Sequence, residues 1–218
     1  MLNLICLDRD GTITKDDNFY LGSTPNWKDL IEFLPGVIEG IKKLNRIPNS
    51  RIFVVTNQSG VALKGPKFDQ LTMKRMHEVN NYILQELSKQ GAPIKGYFAC
   101  PFIDQAYAER ARAKGREINP AFIYDKHPDL KPNIGLVRRA VGSLGRNLEG
   151  CEIFVIGDRF SDVKLGLNSG GHGILVESIK TRELGDVEKT IKLGAMGNNT
   201  YISKNFLDAV NYVEWNAI

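Results

Sequence analysis

Five short apolar runs, separated by longer segments of helical period, constrain the fold of this 218-residue chain more than any other feature. The runs cover residues 4–7, 52–55, 97–100, 153–156 and 173–176, and their β-branched and aromatic content is typical of buried strands. Strands that alternate with helices predict βαβ units. We therefore expect an α/β fold, with a Rossmann-like parallel sheet and helices on both of its faces.

Three of the helices have recognisable ends in the sequence. Apolar residues recur at helical spacing over residues 68–87, and Gly91 can close that helix. Pro132 suits the first position of a second helix, which Gly145 follows. A last helix is predicted to begin at Ser203.

Two stretches interrupt the alternation of strands and helices. Residues 13–34 are predicted to be mostly loop before a helix that follows Pro35 and Gly36, and the polar residues 101–130 are predicted to form a loop above the sheet. Both leave from strand ends, where a parallel sheet forms its ligand crevice, so both could shape a site. We interpret residues 1–218 as a single domain with these two loop excursions and no large cap domain.

Composition and charge exclude several classes of protein. The net charge is +4 and the sequence has no long block of Lys or Arg, so nucleic-acid binding is disfavoured. No run of about 20 apolar residues exists, which argues against a membrane span. Three cysteines cannot all pair, and a cytoplasmic location is predicted for so few.

The strongest local signal is the string DRDGT at residues 8–12, directly after the first predicted strand. Asp8 and Asp10 are two residues apart, and Gly11 permits a turn that could aim both carboxylates at one crevice. One carboxylate can attack phosphorus while the other handles protons, and a hard cation can screen their repulsion. The alternative is a turn in which an aspartate caps the next element.

Small polar side chains close the second predicted strand at Thr56, Asn57, Gln58 and Ser59, with Gly60 after them. Hydroxyl and amide donors together with exposed backbone N–H groups favour an anion cradle. The alternative is a cap for the following helix.

Two further strings lie near the predicted helix starts, Lys131-Pro132 and GDRFSD at residues 157–162. Taken alone, Lys131 reads as an ordinary surface lysine. Asp158 and Asp162 follow the strand at 153–156 and could reach the crevice of Asp8, whereas helix capping by Ser161 and Asp162 is the alternative.

In this order the four strings resemble the signature motifs of the haloacid dehalogenase-like phosphatases. The match runs from about residue 4 to about residue 171. The fuller strings DRDGT, VVTNQSG, KP and GDRFSD resemble one branch, which contains heptose-bisphosphate and histidinol-phosphate phosphatases and is related to polynucleotide 3′-phosphatases.

The resemblance implies a role for each matching residue. Asp8 is the expected nucleophile that forms an aspartyl-phosphate, and Asp10 protonates the leaving oxygen and then activates water. Thr56 and Lys131 would stabilise the transferring phosphoryl group.

The resemblance also implies Mg²⁺ as cofactor. Its expected ligands are the Asp8 and Asp158 carboxylates and the Asp10 backbone carbonyl, with Asp162 behind them or acting through a water. The positions where this branch contacts substrate are Asn57, Gln58, Ser59 and Arg159.

The chain departs from this branch in the loop before Lys131. Members often carry a zinc loop with Cys-x-His and later Cys-x-Cys before an Arg-Lys-Pro triplet. Here only Cys100, His127 and Asp129 could still bind metal, so we expect no zinc, since a structural zinc needs four ligands. Leu130 also replaces the arginine of the triplet.

We therefore predict a magnesium-dependent phosphoric monoester hydrolase that acts on a small phosphorylated metabolite. A sugar phosphate or bisphosphate such as D,D-heptose 1,7-bisphosphate is favoured, and a monomer is expected. Histidinol phosphate as substrate, or a catalytically silent anion-binding domain, are the alternatives. A nucleic-acid 3′-phosphate end is disfavoured, and so is a phosphomutase, because water exclusion normally needs a lid.

Overall fold

The computed structural model describes residues 1–16 and 20–217, so residues 17–19 of the first predicted excursion lie outside it. Its strands are β1 (Leu2–Leu7), β2 (Ser50–Asn57), β3 (Leu63–Lys64), β4 (Gly96–Cys100), β5 (Glu117–Ile118), β6 (Cys151–Gly157), β7 (His172–Val176) and β8 (Thr200–Ser203). Its helices are α1 (Val37–Leu44), α2 (Met73–Lys89), α3 (Gln105–Ala113), α4 (Gly135–Gly142), α5 (Phe160–Asn168), α6 (Ile179–Glu183), α7 (Asp186–Ala195) and α8 (Phe206–Asn216).

Six parallel strands form the main sheet in the order β4-β2-β1-β6-β7-β8. Strand β1 lies in the middle, where Leu7 is in register with Val54 of β2 and Ile156 of β6. The five strands predicted from the apolar runs are all present. This order is that of a doubly wound Rossmann-like fold, as the sequence predicts.

The alternation of side chains along β1 divides the core into two layers. Ile5 and Leu7 point into one apolar cluster, and Leu4 and Cys6 point into the other, all fully buried. Helices α1, α2 and α8 contribute to the first cluster, and α4 and α5 to the second. Each buried aliphatic side chain contributes roughly 1.5–3 kcal/mol, so both layers hold the sheet rigidly. The prediction of helices on both faces is confirmed.

Three predicted helix starts are wrong. The helix predicted from the spacing over residues 68–87 begins at Met73, because the side chain of Thr72 accepts a hydrogen bond from Arg75 N and caps it there. The helix predicted from Pro132 begins at Gly135, because the chain first makes a turn closed by hydrogen bonds such as that from Asn133 N to Leu130 O. Ser203 ends the short strand β8, which the sequence analysis missed, and the last helix begins after Asn205, whose side chain accepts a bond from Asp208 N.

The predicted loop over residues 101–130 contains ordered secondary structure. Asp104 caps α3 by accepting a hydrogen bond from Tyr107 N, and β5 pairs antiparallel with β3. A third apolar cluster holds this segment together; its buried members are Ala62, Leu63, Ile103, Ala108, Ala111 and Ile118. We refer to residues 101–130 as the insertion.

No helix in the described part of the chain is both long enough and apolar enough to cross a membrane.

Candidate active site

The ends of β1 and β6 form the point from which the site is built. Strand β1 is followed by α1 on one face of the sheet, whereas β6 is followed by α5 on the other face. The two segments therefore diverge above the strand ends. Crevices at such a switch point are the usual ligand sites of parallel α/β sheets. Asp8 follows β1 directly and Asp158 follows β6 directly.

Three buried carboxylates, those of Asp8, Asp158 and Asp162, lie together at this point. One oxygen of each lies within 4.8 Å of the others. Two glycines make the approach possible: a Cβ at Gly11, whose φ is +82°, would overlap the Asp158 carboxylate, and one at Gly157 would overlap Asp162. The DxDG and GD strings therefore need glycine to bring the carboxylates together.

Lys131 supplies a positive charge inside this cluster. Its Nζ lies 2.8 Å from Asp8 Oδ1 and 2.6 Å from Asp162 Oδ1, and it also donates to Val55 O at 3.2 Å. Burial opposes its charge, but the two carboxylates raise the pKa of Lys131 above its ordinary value, so it stays protonated. Only 6% of Lys131 is exposed, which excludes the surface-lysine alternative.

The cluster nevertheless carries more negative charge than Lys131 can balance. Burial, with Asp8 and Asp162 nearby, raises the pKa of Asp158 to about 8, and burial raises that of Asp162 to about 6. A hard divalent cation prefers oxygen ligands, and three buried carboxylate oxygens with excess negative charge lie this close together here. The residues present therefore fit Mg²⁺.

Asp162 also stabilises the start of α5. Its Oδ2 accepts a hydrogen bond from Arg159 N, so the capping alternative is realised for Asp162. The same carboxylate holds Lys131 through Oδ1. One buried side chain thus fixes the helix start and the lysine together.

Asp10 lies beside the cluster but is held by a different set of partners. Arg9 Nε and Nη2 donate to its two oxygens at 2.9 and 2.8 Å, and Gln58 Nε2 donates to Oδ2 at 2.9 Å. Burial alone would raise the pKa of Asp10. The Arg9 guanidinium and the Gln58 amide have the opposite and larger combined effect, so the pKa of Asp10 lies below its usual value. Arg9 itself is buried, and its Nη1 donates to Asn80 Oδ1 on α2 at 3.1 Å.

The polar residues after β2 line the same crevice, although two of them serve as braces. Gln58 donates to Thr56 Oγ1 at 3.0 Å and accepts from Arg9 at 2.7 Å, and Asn57 Oδ1 accepts from Lys131 N at 3.1 Å. Ser59 begins a short 3-10 turn, Ser59–Ala62, rather than a long helix.

One cleft of about 570 Å³ is lined by most of the residues predicted for the site: Asp8, Asp10, Thr56, Asn57, Gln58, Ser59, Lys131, Asp158 and Arg159. Asp162 lies behind its wall and does not line it. Arg159 is on its rim, with Nε 3.2 Å from Asp186 Oδ2. Lys180 of α6 also lines the cleft and pairs with Asp16. The cleft is larger than a phosphate ion needs, and it falls in the range of small-molecule sites.

The three residues considered as zinc ligands form a packed cluster of their own. Cys100 Sγ lies 3.9 Å from His127 Nδ1, which accepts a hydrogen bond from Asp129 N at 3.1 Å. The His127 ring stacks on Phe102 with centroids 4.2 Å apart. Among the residues described, the one grouping suited to a metal ion is that of Asp8, Asp158 and Asp162.

Sequence reasoning missed several residues that line the cleft, chiefly Arg9, Lys180, Tyr20, Arg110 and Arg116. Arg9 lay inside the first motif, and its charge between two aspartates was the available signal. Lys180 comes from α6, Tyr20 from the loop after the first motif, and the two arginines from the insertion, so only the tertiary structure could bring them to the site.

Known proteins resemble the chain in both sequence and fold. A family described as HAD-hydrolase-like matches residues 130–209. A D-glycero-beta-D-manno-heptose-1,7-bisphosphate 7-phosphatase from Rhodopseudomonas palustris is 31% identical over 173 residues, which cover 78% of this chain and 81% of the relative.

Two other relatives add to this comparison. The histidine biosynthesis bifunctional protein HisB of Baumannia cicadellinicola subsp. Homalodisca coagulata is 30% identical over 172 residues, 77% of this chain and 39% of the relative. A crystal structure of D,D-heptose 1.7-bisphosphate phosphatase from B. bronchiseptica, complexed with magnesium and phosphate, matches with a TM-score of 0.67 at 21% identity, over 99% of this chain and all of that one. At this identity the structural match shows the fold alone.

Proposed function

Since the chain belongs to the haloacid dehalogenase-like phosphatases, we propose that its cleft hydrolyses a small phosphorylated metabolite through an aspartyl-phosphate on Asp8. The observation that carries this proposal is the convergence of three strand-end strings and Lys131 on one cleft. Asp8, Asp10, Thr56 and Lys131 all line it, together with Asp158. A silent anion-binding domain would have no need for the buried, electrostatically strained carboxylates of this site.

In the first step, a carboxylate oxygen of Asp8 attacks phosphorus and the bond from phosphorus to the ester oxygen breaks. Asp10 gives its proton to the departing oxygen, so that an alcohol leaves. Asp10 is held ionised by Arg9 in the free enzyme, and the negative charge of a bound phosphate ester beside it favours its protonation.

In the second step, Asp10 takes a proton from water, and the water oxygen forms a bond to phosphorus as the bond to Asp8 breaks. The products are inorganic phosphate and the regenerated Asp8 carboxylate. Lys131 and Thr56 donate to the phosphoryl oxygens in both steps, which stabilises the charge spread over them.

Mg²⁺ would be held by the carboxylates of Asp8 and Asp158 and by the backbone carbonyl of Asp10. A cation held there would offset the negative charge of the phosphate dianion, so that the Asp8 carboxylate could approach it. Asp162 keeps Lys131 in place at 2.6 Å, next to this site.

A sugar phosphate or bisphosphate, with D,D-heptose 1,7-bisphosphate favoured, is the proposed substrate class. It is supported by the heptose-bisphosphate phosphatases among the relatives and by a cleft with room beyond one phosphate. Histidinol phosphate is the second candidate, and the similarity to the HisB protein favours it. A cytoplasmic location and a monomeric state stay predictions from the sequence.

The test is hydrolysis of an aryl phosphate by wild-type protein with Mg²⁺, by the same protein with EDTA, and by Asp8→Asn. Turnover is expected only in the first case and is expected to return when Mg²⁺ is added back. Asp69→Asn is the matched control, because Asp69 is exposed and lies outside the cleft.

Undiminished turnover by Asp8→Asn would exclude Asp8 as the nucleophile. No turnover by the wild type under any condition would favour the silent anion-binding domain. A comparison of kcat/KM across sugar phosphates, histidinol phosphate and nucleotides then identifies the substrate class.

A further inference from the structure

The insertion places a second group of positive charges on the wall of the active-site cleft. Arg110 of α3 and Arg116, just before β5, line the cleft that also contains Asp8 and Asp10. The apolar cluster beneath α3 and β5 fixes this wall, with Ala108 and Ala111 fully or nearly fully buried. Both arginines are therefore presented by an ordered element.

These two arginines differ from the other cations of the cleft in having no carboxylate partner among the described residues. Five other cationic side chains line the cleft, and each has an acidic partner in the structure: Arg9 with Asp10, Lys15 with Glu32, Lys131 with Asp8 and Asp162, Arg159 with Asp186, and Lys180 with Asp16. Across residues 1–16 and 20–217, no acidic group lies within ion-pair distance of Arg110 or Arg116. Their charge is available for a ligand.

Arg116 is held in position without being neutralised. Its Nη1 donates to the hydroxyl of Tyr20 at 2.6 Å, and its guanidinium lies 5.7 Å from the centre of the Tyr20 ring and 6.0 Å from that of Phe68. Tyr20 and Phe68 in turn make an edge-to-face contact at 5.4 Å. Burial raises the pKa of Tyr20 to about 12, so the phenol stays neutral and the positive charge of Arg116 is preserved. A guanidinium stacked on aromatic rings is a preorganised receptor for a planar pair of anionic oxygens.

The arginines make no direct contact with the reacting carboxylates. Among the described residues, Asp8, Asp10 and Asp162 are bound by Arg9, Gln58 and Lys131, and neither insertion arginine forms a hydrogen bond or an ion pair with them. A phosphate bound between Asp8 and Lys131 would therefore leave Arg110 and Arg116 for a different part of the same molecule.

On the basis of the proposed phosphatase function, we infer that Arg110, Arg116 and Tyr20 form a distal anion subsite that binds a second phosphate group of the substrate. The catalytic end of the cleft holds the phosphate that is removed, and the insertion holds the one that is kept. The insertion thus selects bisphosphorylated metabolites over monophosphates.

The experiment measures binding and turnover separately. Sugar bisphosphates (heptose 1,7-bisphosphate and fructose 1,6-bisphosphate) and the corresponding monophosphates are titrated by calorimetry into Asp8→Asn protein, with and without the double change Arg110→Gln and Arg116→Gln. Turnover of the same sugars and of an aryl phosphate is measured with Asp8 intact. The matched control is Arg112→Gln, because Arg112 is exposed on the same helix and does not line the cleft.

We expect at least one bisphosphate to bind more tightly than its monophosphate. Removing both arginines should weaken that binding by about 100-fold, or about tenfold for each charge, which corresponds to about 1.4 kcal/mol. KM for the bisphosphate should rise in parallel, whereas kcat/KM for the aryl phosphate should change less than about twofold. Arg116→Lys should recover part of the affinity, since it restores charge without the fork geometry.

The inference is overturned if no bisphosphate binds more tightly than its monophosphate, or if the double change leaves that preference intact. It is also overturned if the aryl phosphate suffers as much as the bisphosphate, because the arginines would then act on the reacting phosphate. Arginine-dependent binding without turnover by wild-type protein would support the subsite and reject the phosphatase function. Turnover that does not depend on the two arginines would support the phosphatase function and reject the subsite.

Discussion

Asp158→Asn should stabilise the metal-free protein while abolishing its response to magnesium. Asp158 is 3% exposed and lies in a buried cluster with Asp8 and Asp162. Lys131 is buried in the same cluster and forms ion pairs with Asp8 and Asp162. Raising its pKa from 3.8 to about 8 corresponds to on the order of 5 kcal/mol, at about 1.36 kcal/mol per pKa unit. This is a ceiling, because the proton can also be shared with the neighbouring carboxylates.

The sign of the pH dependence follows from the direction of the shift. A carboxyl group whose pKa is raised on folding binds more protons in the folded state, so its contribution is fully present below about pH 4 and is lost as the pH rises through about 8. Metal-free wild-type protein should therefore lose stability across this window. The amide of Asp158→Asn does not titrate, so the variant should lose much less.

Thermal unfolding in EDTA, at about pH 5 and about pH 8, measures this difference. If half of the ceiling is realised, Asp158→Asn should raise Tm at the higher pH by roughly 5–10 °C, since 1 kcal/mol shifts Tm by about 2–4 °C in a chain of this size. Saturating Mg²⁺ should stabilise the wild type by mass action and leave the variant unchanged. Asp69→Asn should behave as the wild type in every condition. A lower Tm for Asp158→Asn than for wild type in EDTA at the higher pH would refute the reasoning.

Three further changes test other parts of the site. Lys131→Met should abolish turnover and lower the free energy of unfolding by about 3–5 kcal/mol, because it leaves two buried carboxylates unpaired. Denaturant unfolding measures this change, and a loss below about 1 kcal/mol would contradict the prediction. Arg9→Met removes the guanidinium that lowers the pKa of Asp10. In the second step Asp10 must be ionised to take a proton from water, so the acidic limb of the pH profile for hydrolysis of the aspartyl-phosphate should move to higher pH; a stationary limb would argue that Arg9 does not control Asp10. Gly11→Ala should lower the free energy of unfolding, measured by calorimetry, by about 1–3 kcal/mol because the φ of Gly11 is +82°. Gly142→Ala is the control, since a Cβ there meets open space and should cause no such loss. Equal effects of the two changes would reject the steric argument.

The parts of the fold that could be predicted are those in which local pattern and burial agree. Four of the five apolar runs became strands that are buried on both faces, as in β1, where all six residues are buried. The fifth run lies in β4, an edge strand in which only Cys100 is fully buried, and its aromatic residues carried the prediction. Strand β8 was missed because three of its four residues are partly exposed at the edge of the sheet and the strand carries little apolar signal. Helix α3 was missed because it is alanine-rich and charged, with a weak apolar stripe, and its cap at Asp104 was not considered.

The site divides in a similar way. The positions of Asp8, Asp10 and Asp158 could be predicted, since the carboxyl ends of neighbouring parallel strands must meet at one edge. The partners of Gln58 could not be predicted, because its hydrogen bonds to Arg9, Asp10 and Thr56 depend on how the turn after β2 packs against the first motif. The charges of the insertion were equally hidden, since their position depends on how the third apolar cluster folds back over the sheet.

The central position of β1 also determines when during synthesis the site can form. Asp8 emerges first, but β1 is completed by β6, and Asp158 is made 150 residues after Asp8. At about 5–20 residues per second, that interval is on the order of 10 s. During this time the edge of β1 that will face β6 has no strand to pair with, and an unpaired apolar edge is prone to aggregate. Asp8 and Asp158 are therefore brought together late in chain growth, and a chaperone would protect the chain most while only its first half has been made.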